Sequence, residues 1–514
     1  MNNARRKTRK RKDEVLMKRL MPSSFYNPTS LVGAAVSVVS FGLILFLFLL
    51  EAFAGHQKPY MGIIAFVILP AFLIIGLLIA TVGMILEHRR LLKTHTDQRL
   101  LPAIDLNNPH HRAVFGTLSA VLIVFLMSSA FGSFQLYEFT ESVQFCGEIC
   151  HTVMKPEYTA YLHSPHARVT CAQCHVGSGT DWYVKSKLSG AYQVYSVIFH
   201  KYSQPIETPV RNLRPAQGTC EQCHWPKHFY AQKEISKTYF LSDEANTPWK
   251  ISLLLKIGGG NPETGLTSGI HWHMNINNEI TYVATDRQRQ VIPYVRSKSK
   301  DGKITEYTSS AVPVTPELLK AGEERRMDCI DCHNRPTHIY RSAKETVDEV
   351  MTLNWIDATL PSVKAIAVDA LTRPYGTEAG AQDSIAQIFR GQYALRYPAI
   401  AASRKVAIDS SIAVLQRIYE RNFFPEMRVS WQKYPNHIGH LYNLGCFRCH
   451  DGKHVSKEGK VLTRNCSTCH SILAQGNQPT PANLTLDKGM EFVHPVDIGD
   501  AWKEMNCSDC HTGK

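Results

Sequence analysis

The chain has 514 residues, with 57 lysines and arginines against 44 aspartates and glutamates, so its formal net charge is +13. More than half of that charge lies in residues 1–30, which hold nine basic and two acidic side chains, whereas residues 135–514 carry only +4. The main part of the chain is therefore not a basic nucleic-acid binder, and the length allows two or three domains.

Three uninterrupted apolar runs follow the basic leader, over residues 31–50, 61–86 and 113–134. Each is long enough to cross a bilayer as a helix, which takes about 20 apolar residues. A signal peptide has a shorter apolar core and a cleavage site, whereas this leader is polar and three runs follow it. The sequence thus predicts three N-terminal transmembrane helices that stay in the mature protein.

Basic residues predict the orientation of these helices, because short cytoplasmic loops are enriched in lysine and arginine. The leader is strongly basic, the first loop has only Lys58, and the second loop is basic again. This pattern predicts an inner-membrane protein of a bacterium with its N-terminus in the cytoplasm. Because the number of crossings is odd, the chain beyond residue 134 is predicted to lie in the periplasm.

Beyond the membrane part, all fourteen cysteines fall in pairs, and a histidine follows each pair directly. The spacing CxxCH is the attachment signal of c-type haem: two thiols form thioethers and the histidine binds the iron. Zinc sites and redox disulfides do not require that histidine. Seven covalent haems are predicted, on Cys146/Cys150/His151, Cys171/Cys174/His175, Cys220/Cys223/His224, Cys329/Cys332/His333, Cys446/Cys449/His450, Cys466/Cys469/His470 and Cys507/Cys510/His511.

Electron-transfer haems usually take a second axial ligand, for which histidine is the first choice here. Eleven histidines outside the motifs and the membrane part are available: His163, His166, His200, His228, His271, His273, His338, His437, His440, His454 and His494. We name His273 for the third haem, with His200 as its competitor, and His440, His454 and His494 for the C-terminal haems.

The stretch from about 134 to 340 resembles the NapC/NirT/NrfH family of membrane-anchored multihaem quinol dehydrogenases. The resemblance rests on YEFTESVQFCGEICHTVMKPEYTAYLHSPHARVTCAQCHVGSG (137–179), YVKSKLSG (183–190), LRPAQGTCEQCHWP (213–226) and CIDCHNRPTH (329–338). With three further haems, the chain is similar to the seven-haem inner-membrane group of bacteria that respire extracellular metals.

The resemblance implies roles for individual residues. It makes His338 the distal ligand of the second haem and His166 that of the fourth, with Met154 as a ligand of the first haem. It also places Lys187 at the quinol, beside the first haem.

Three departures from the family pattern stand out. The first motif, CGEICH, has three residues between its cysteines, which leaves ligation of the first haem open between Met154 and His151. The family's acidic proton acceptor is replaced by Gln193 and Val194, so Gln193 takes that place in the quinol site and Asp181 is an alternative acceptor. The family also usually has a single membrane helix.

The predicted fold is a mainly α and irregular multihaem cytochrome c. Its parts are a leader (1–30), three transmembrane helices (31–134), a four-haem domain (135–340) with a small β-rich insert at about 226–328, a helical spacer (341–436) and a three-haem C-terminal region (437–514). Apolar spacings of three and four in the spacer predict amphipathic helices. With so many haems, we expect little ordinary core.

These features predict a quinol dehydrogenase that passes electrons from the membrane quinol pool to periplasmic c-type cytochromes. Haem propionates turn the outer region mildly negative, which suits docking to basic partners. One alternative is an electron conduit without a quinol site, docked to another quinol dehydrogenase. The other, a terminal reductase, commonly uses a CxxCK motif, and the sequence has none.

Overall fold

The computed structural model describes residues 23–54, 69–93, 106–149, 151–176, 180–210, 215–225, 232–258, 269–274, 278–477 and 489–513. The chain divides into two compact units, Met1–Ile149 and Cys150–Lys514. The first unit contains long apolar helices, and the second unit contains haem motifs two to seven.

The first unit has three helices, α1 (Pro28–Ala54), α2 (Leu69–Lys93) and α3 (Pro109–Glu141), followed by a π-helical turn (Phe145–Ile149). Within the described residues, the segments Pro28–Leu47 and Leu69–Lys93 are long and apolar enough to cross a membrane. Helix α3 contains the third predicted run, and its crossing stays a prediction.

Small residues bring α1 and α2 into close contact. A Cβ atom added to Gly76 would lie 2.8 Å from the main-chain oxygen of Gly33, so neither backbone could approach as closely with a larger side chain. Ser30 donates to the carbonyl of Ala80 at 3.0 Å, and Asn27 donates to the carbonyl of Gly83 at 3.2 Å. Such small-residue packing with interhelical hydrogen bonds is typical of membrane helices.

The second unit begins with the helices α4 (His151–Leu162), α5 (Cys171–His175), α6 (Thr180–Ile198) and α7 (Ala216–Cys220), of which α4, α5 and α7 carry haem-motif residues. Two antiparallel sheets follow, built from β1 (Lys233–Phe240), β2 (Pro248–Leu255), β3 (Asn278–Val283), β4 (Tyr294–Ser299), β5 (Ile304–Ser309) and β6 (Arg325–Arg326). Helix α8 (Pro316–Ala321) lies between β5 and β6, and α9 (Cys329–Cys332) follows β6.

Each sheet is completed by a strand from the C-terminal region. Strand β7 (His454–Ser456) pairs with β5, and β8 (His470–Gly476) pairs with β2, so the strand orders are β6-β3-β4-β5-β7 and β1-β2-β8. The β-rich segment is therefore shared between the insert and the region of the last three motifs. Long-range strand pairing of this kind leaves no local signal in the sequence.

A helical region lies in the chain between the fourth and fifth motifs. Its helices are α10 (Ala343–Thr352), α11 (Val363–Thr372), α12 (Glu378–Arg396), α13 (Pro398–Ser403) and α14 (Lys405–Asn422). Ser342 and Thr377 cap the N-termini of α10 and α12 by accepting hydrogen bonds from Glu345 and Gly380 main-chain N–H groups. The chain ends in α15 (Ala501–Glu504) and α16 (Cys507–Cys510).

This region has an ordinary hydrophobic core, contrary to our expectation from the haem content. Ala381, Ile385, Phe389 and Tyr393 recur every four residues along α12, and all are 0% exposed. They pack with buried residues of α10, α11 and α14, and with Val153 of α4. Apolar side chains alone thus supply the packing here, because the segment between the fourth and fifth motifs is long enough to bury its own core.

Candidate haem centres

The haem motifs of the second unit are single tight turns. The main-chain N–H of the motif histidine donates to the carbonyl of the first cysteine in His224, His333, His450 and His511, at 2.8 to 2.9 Å. One turn of this kind brings two thiols three residues apart to the same side. In the described part of the chain, no cysteine forms a disulfide.

The first motif has a different local structure. Cys146 lies in the π-helical turn Phe145–Ile149, and His151 is the first residue of α4. Cys150 lies outside the described residues. The extra residue between the two cysteines thus coincides with a π-helical segment, which accommodates one more residue per turn than an α-helix.

Cys223 differs in its surroundings from most of the predicted haem-attachment residues. We predict that it holds the third haem together with Cys220, and its side chain lies at the protein surface. Cys223 is exposed, as is Cys510 of the seventh motif, whereas the other described motif cysteines are only partly accessible.

The local structure of the third motif accounts for this exposure. Cys223 lies in the turn that follows α7, and its neighbour Trp225 is exposed as well. The main-chain N–H of Cys223 still donates to the carbonyl of Cys220 at 3.1 Å, so the turn of the motif is formed. The local turn of the third motif is thus like that of the others, and attachment of haem at Cys223 stays a prediction.

In motifs two to seven, each motif histidine faces a second histidine at a nearly constant distance. An iron ion between two imidazoles, at metal–nitrogen distances of about 2 Å, separates the ring centroids by roughly 6 Å. The observed pairs are His175 and His338 (6.3 Å), His224 and His166 (6.1 Å), His333 and His271 (6.2 Å), His450 and His273 (5.9 Å), His470 and His440 (6.1 Å), and His511 and His494 (6.0 Å).

Hydrogen bonds orient most of the non-motif rings of these pairs. Five of the six have Nδ1 within hydrogen-bond distance of a main-chain carbonyl, which fixes the proton on Nδ1 and leaves Nε2 as a metal ligand. Burial also lowers the pKa of His338 and of His440 to about 4, so both rings are neutral at physiological pH. The Nδ1 contacts are His338 to Glu157 (3.0 Å), His166 to Pro336 (3.3 Å), His271 to Ile257 (2.8 Å), His273 to Ile270 (2.8 Å) and His494 to Val496 (2.7 Å).

These placements fit a haem at each pair, and two differ from the sequence-based expectation. His166 faces His224 of the third motif, whereas the resemblance implied the fourth haem. His273 faces His450 of the fifth motif, whereas we expected the third haem.

The local structure explains the second difference. We expected His271 and His273 on one face of a strand, but they lie in a 3₁₀ turn, Ile270–Met274. A 3₁₀ turn has three residues per turn, so residues two apart point in different directions. His271, which we had not named as a ligand, therefore faces His333 while His273 faces His450.

His454 is placed unlike a haem ligand, in contrast to our expectation. Its side chain is 2% exposed, its Nδ1 lies 2.8 Å from Asp451 and its Nε2 lies 2.7 Å from the carbonyl oxygen of Ile292. Although burial disfavours the charged ring, these hydrogen bonds raise the pKa of His454 above its ordinary value. Both ring nitrogens are engaged, so neither is left for iron.

Three other candidate histidines have different surroundings. His437 is buried, with Nδ1 at 2.9 Å from the carbonyl of Asp331 and Nε2 at 2.8 Å from Gln290. His163 is exposed at the end of α4, and its Nδ1 lies 2.9 Å from the main-chain oxygen of Thr159. The ring of His200 lies 6.3 Å from the ring of Tyr202. His228 lies outside the described residues.

Motifs two to seven are neighbours in space in the order of the sequence. Thiols of successive motifs lie close enough for their charges to interact, which contributes to the raised pKa of several of these buried cysteines. The thiol pairs that join successive motifs are Cys174 and Cys220, Cys220 and Cys329, Cys332 and Cys446, Cys446 and Cys469, and Cys466 and Cys507.

A polar brace fixes the fourth motif against the fifth. Arg448, inside the fifth motif, donates to the main-chain oxygens of Asp331 (2.7 Å) and Arg289 (2.9 Å). Asp331, inside the fourth motif, is buried and accepts from Tyr282 at 2.7 Å, from Arg289 at 2.7 Å and from Arg325 at 2.9 Å. Sequence reasoning missed this brace, because the residues between the cysteines of a motif carry no signature of their own.

The three residues named for quinol chemistry all lie on α6. Lys187 and Asp181 belong to this helix, and Gln193 is exposed, with its amide nitrogen donating to Ser189 at 3.3 Å. Positions 181 and 193 each lie about 120° from position 187 around the helix axis, so neither of them shares a face with position 187. Position 194, a valine, does share that face.

Comparisons with known proteins identify the family of this chain. Residues 108–213 match the model of the NapC/NirT cytochrome c family, N-terminal region. The chain is also similar to the cytochrome c-type protein ImcH of Geobacter sulfurreducens, with 45% identity over 487 residues, or 95% of each chain. The chain belongs to the ImcH-like group of the NapC/NirT cytochrome c family. No solved structure matches it.

Family membership establishes the general character of this cytochrome. It is a membrane-anchored multihaem electron-transfer protein of the c type. The matched family region starts within residues 106–149 and ends before the third motif, so it covers the third apolar run and the first two motifs. The 45% identity extends the likeness to the later motifs and to the helical region.

Proposed function

We propose that this cytochrome is a quinol dehydrogenase of the bacterial inner membrane, which oxidises menaquinol or a related quinol and delivers the electrons to periplasmic c-type cytochromes through seven haems. The observation that carries the proposal is the set of six imidazole pairs at 5.9–6.3 Å, each joining a motif histidine to a second histidine. Haem supplies reversible one-electron chemistry at its iron. The leader is cytoplasmic and the second unit periplasmic.

In this proposal, the cysteines of each motif hold a haem covalently and the paired histidines bind its iron from both sides. The distal ligands of haems two to seven are His338, His166, His271, His273, His440 and His494, in that order. Two-histidine ligation leaves no open coordination position, which suits electron transfer and disfavours a terminal reductase.

The first haem is held by Cys146 and Cys150. Positions 151 and 154 are three apart on α4, so His151 and Met154 occupy the same helix face and are alternative ligands on one side of the iron. We favour Met154, as the family resemblance implies. Quinol is placed beside this haem, with Lys187 at its hydroxyl group.

One observation favours the alternative function, an electron conduit that has no quinol site of its own. Of the two positions where the family has an acidic residue, position 194 shares a helix face with Lys187 and is a valine, so no carboxylate of α6 is aligned with Lys187 to accept a quinol proton. Another quinol dehydrogenase docked to the conduit would then supply the electrons.

Mass spectrometry of the mature chain should show seven covalently added haems, because every cysteine belongs to a motif. The measurement is the intact mass together with a test for free thiols by alkylation, in which the exposed Cys223 is the most sensitive position. A reactive thiol in any pair, or bound zinc, would contradict the haem count.

His271→Gln should convert one low-spin haem to a high-spin or differently ligated state, since it removes the second nitrogen ligand of the fourth haem. His454→Gln should leave the number of low-spin haems unchanged, because His454 is engaged with Asp451 and Ile292. Electron paramagnetic resonance of the oxidised proteins counts the low-spin species. Loss of one such species in His454→Gln, with none lost in His271→Gln, would reverse our assignment.

A further inference from the structure

Helix α6 exposes an apolar stripe to its surroundings. Leu188 is 69% exposed, Tyr192 65%, Tyr195 41% and Phe199 59%. The spacing of four, three and four residues places all of them on one side of the helix. The main-chain N–H of Phe199 donates to the carbonyl of Tyr195 at 3.0 Å, so Phe199 continues the same turn.

The opposite side of α6 holds the helix to the rest of the second unit. Val197, opposite the stripe, packs against the core of the helical region. Ser196, at the edge of the stripe, is buried as well. The stripe residues contact one another instead, with ring centroids at 4.7 Å for Tyr195 and Phe199. The apolar stripe is therefore not needed for packing of the helix.

Most of the charged residues near the stripe are lysines, while Asp181 at the start of α6 lies on the same side of the helix as the stripe. Residues 182–206 contain three lysines and no aspartate or glutamate. Lys185 is exposed, and the ammonium group of Lys201 lies 5.3 Å from the centre of the Tyr195 ring at the far end of the stripe. An apolar surface with tyrosines and flanking lysines combines the groups that partition into the interface of a bilayer with anionic headgroups.

We propose that α6 lies in the plane of the membrane interface, with Leu188, Tyr192, Tyr195 and Phe199 in the lipid and with Lys185 and Lys201 at anionic headgroups. The bilayer is chosen as the occupant because the apolar helices α1 and α2 of the same chain require one. The tyrosine hydroxyls and lysine ammonium groups stay in the polar layer, while the aromatic rings and Leu188 exclude water. This inference does not depend on quinol oxidation.

Collisional relaxation of a spin label tests the proposal on the full holoprotein in lipid nanodiscs that contain an anionic lipid. Every native cysteine belongs to a haem motif, so an introduced cysteine is the single reactive thiol, and its mass confirms one label per chain. The test variant is Leu188→Cys. The control is Val406→Cys, since Val406 is an apolar residue of α14 that is 84% exposed and flanked by Arg404 and Lys405.

Oxygen concentrates in lipid, whereas a hydrophilic nickel chelate stays in water. We expect the ratio of oxygen to nickel accessibility to be at least about threefold higher at position 188 than at 406, because an interfacial helix buries its apolar face below the headgroups. Equal ratios would show that the stripe faces water. Shielding of position 188 from both reagents would show that protein or haem covers it, and either result overturns the proposal.

Haem reduction by quinol, measured in the same samples, keeps this test separate from the proposed function. Lipid contact of the label without quinol oxidation would support the membrane contact of α6 and argue against the dehydrogenase function. Quinol oxidation with a water-exposed label would retain the dehydrogenase and remove the lipid contact.

Discussion

Lys187→Ala should lower the rate of menaquinol-driven haem reduction at least tenfold, about 1.4 kcal/mol of activation free energy. An ammonium group at the quinol hydroxyl positions the substrate and stabilises the anion that develops as the proton leaves. The variant should keep all seven haems and their reduction by dithionite, because Lys187 belongs to no haem motif. Rapid mixing with quinol under anaerobic conditions measures the rate.

Lys185→Ala is the matched control for this prediction. Lys185 lies on the same helix, two residues earlier and on a different side, and it has the same charge. We expect its replacement to change the rate much less. Equal rates for the wild type and Lys187→Ala would remove Lys187 from the quinol site and would favour the conduit function.

Asp348→Leu should lower the free energy of unfolding of the helical region by about 3–5 kcal/mol, because it leaves the buried ammonium group of Lys364 without a counter-charge. Lys364 would keep its hydrogen bond to the main-chain oxygen of Phe240. Lys364 donates to Asp348 at 2.6 Å, and both side chains are less than 10% exposed. Asp348 also accepts from the main-chain N–H of Phe240 at 3.0 Å, so the pair ties β1 to α10 and α11. Denaturant unfolding followed by circular dichroism measures the change.

Two further variants test whether burial of the ion pair is the cause of this loss of stability. Asp348→Leu combined with Lys364→Met should recover most of the loss, since burial raises the pKa of Asp348 and an apolar pair avoids that desolvation cost. Asp369→Asn, which breaks the exposed pair with Arg373, should cost less than about 0.5 kcal/mol. An equally large loss at Asp369 would mean that burial is not what makes the Asp348 pair important.

Some of this molecule could be predicted from local sequence. The motif cysteines and their histidines are contiguous, and one turn of backbone is enough to place them. The helices α12 and α14 lie where apolar spacings of three and four indicate them. The apolar runs at 31–50 and 61–86 likewise overlap the two described segments that are long and apolar enough to cross a membrane, Pro28–Leu47 and Leu69–Lys93.

Partners that are distant in the chain could not be predicted in this way. His166, between α4 and α5, lies beside His224, which follows α7. His273 lies beside His450 because β7 and β8 pair the C-terminal region with the insert. Composition supplied eleven histidines, but only the tertiary structure distinguishes His271 from His454. The brace of Arg448 and Asp331 depends on the same long-range packing.

The central claim is that this chain oxidises quinol by itself. Its most direct test is anaerobic rapid mixing of the purified protein with reduced menaquinol and ubiquinol analogues, with haem reduction followed by absorbance. We predict reduction of the haems by at least one of these quinols, with no other dehydrogenase present. Complete reduction by dithionite, together with no reduction by either quinol, would contradict the claim and leave an electron conduit.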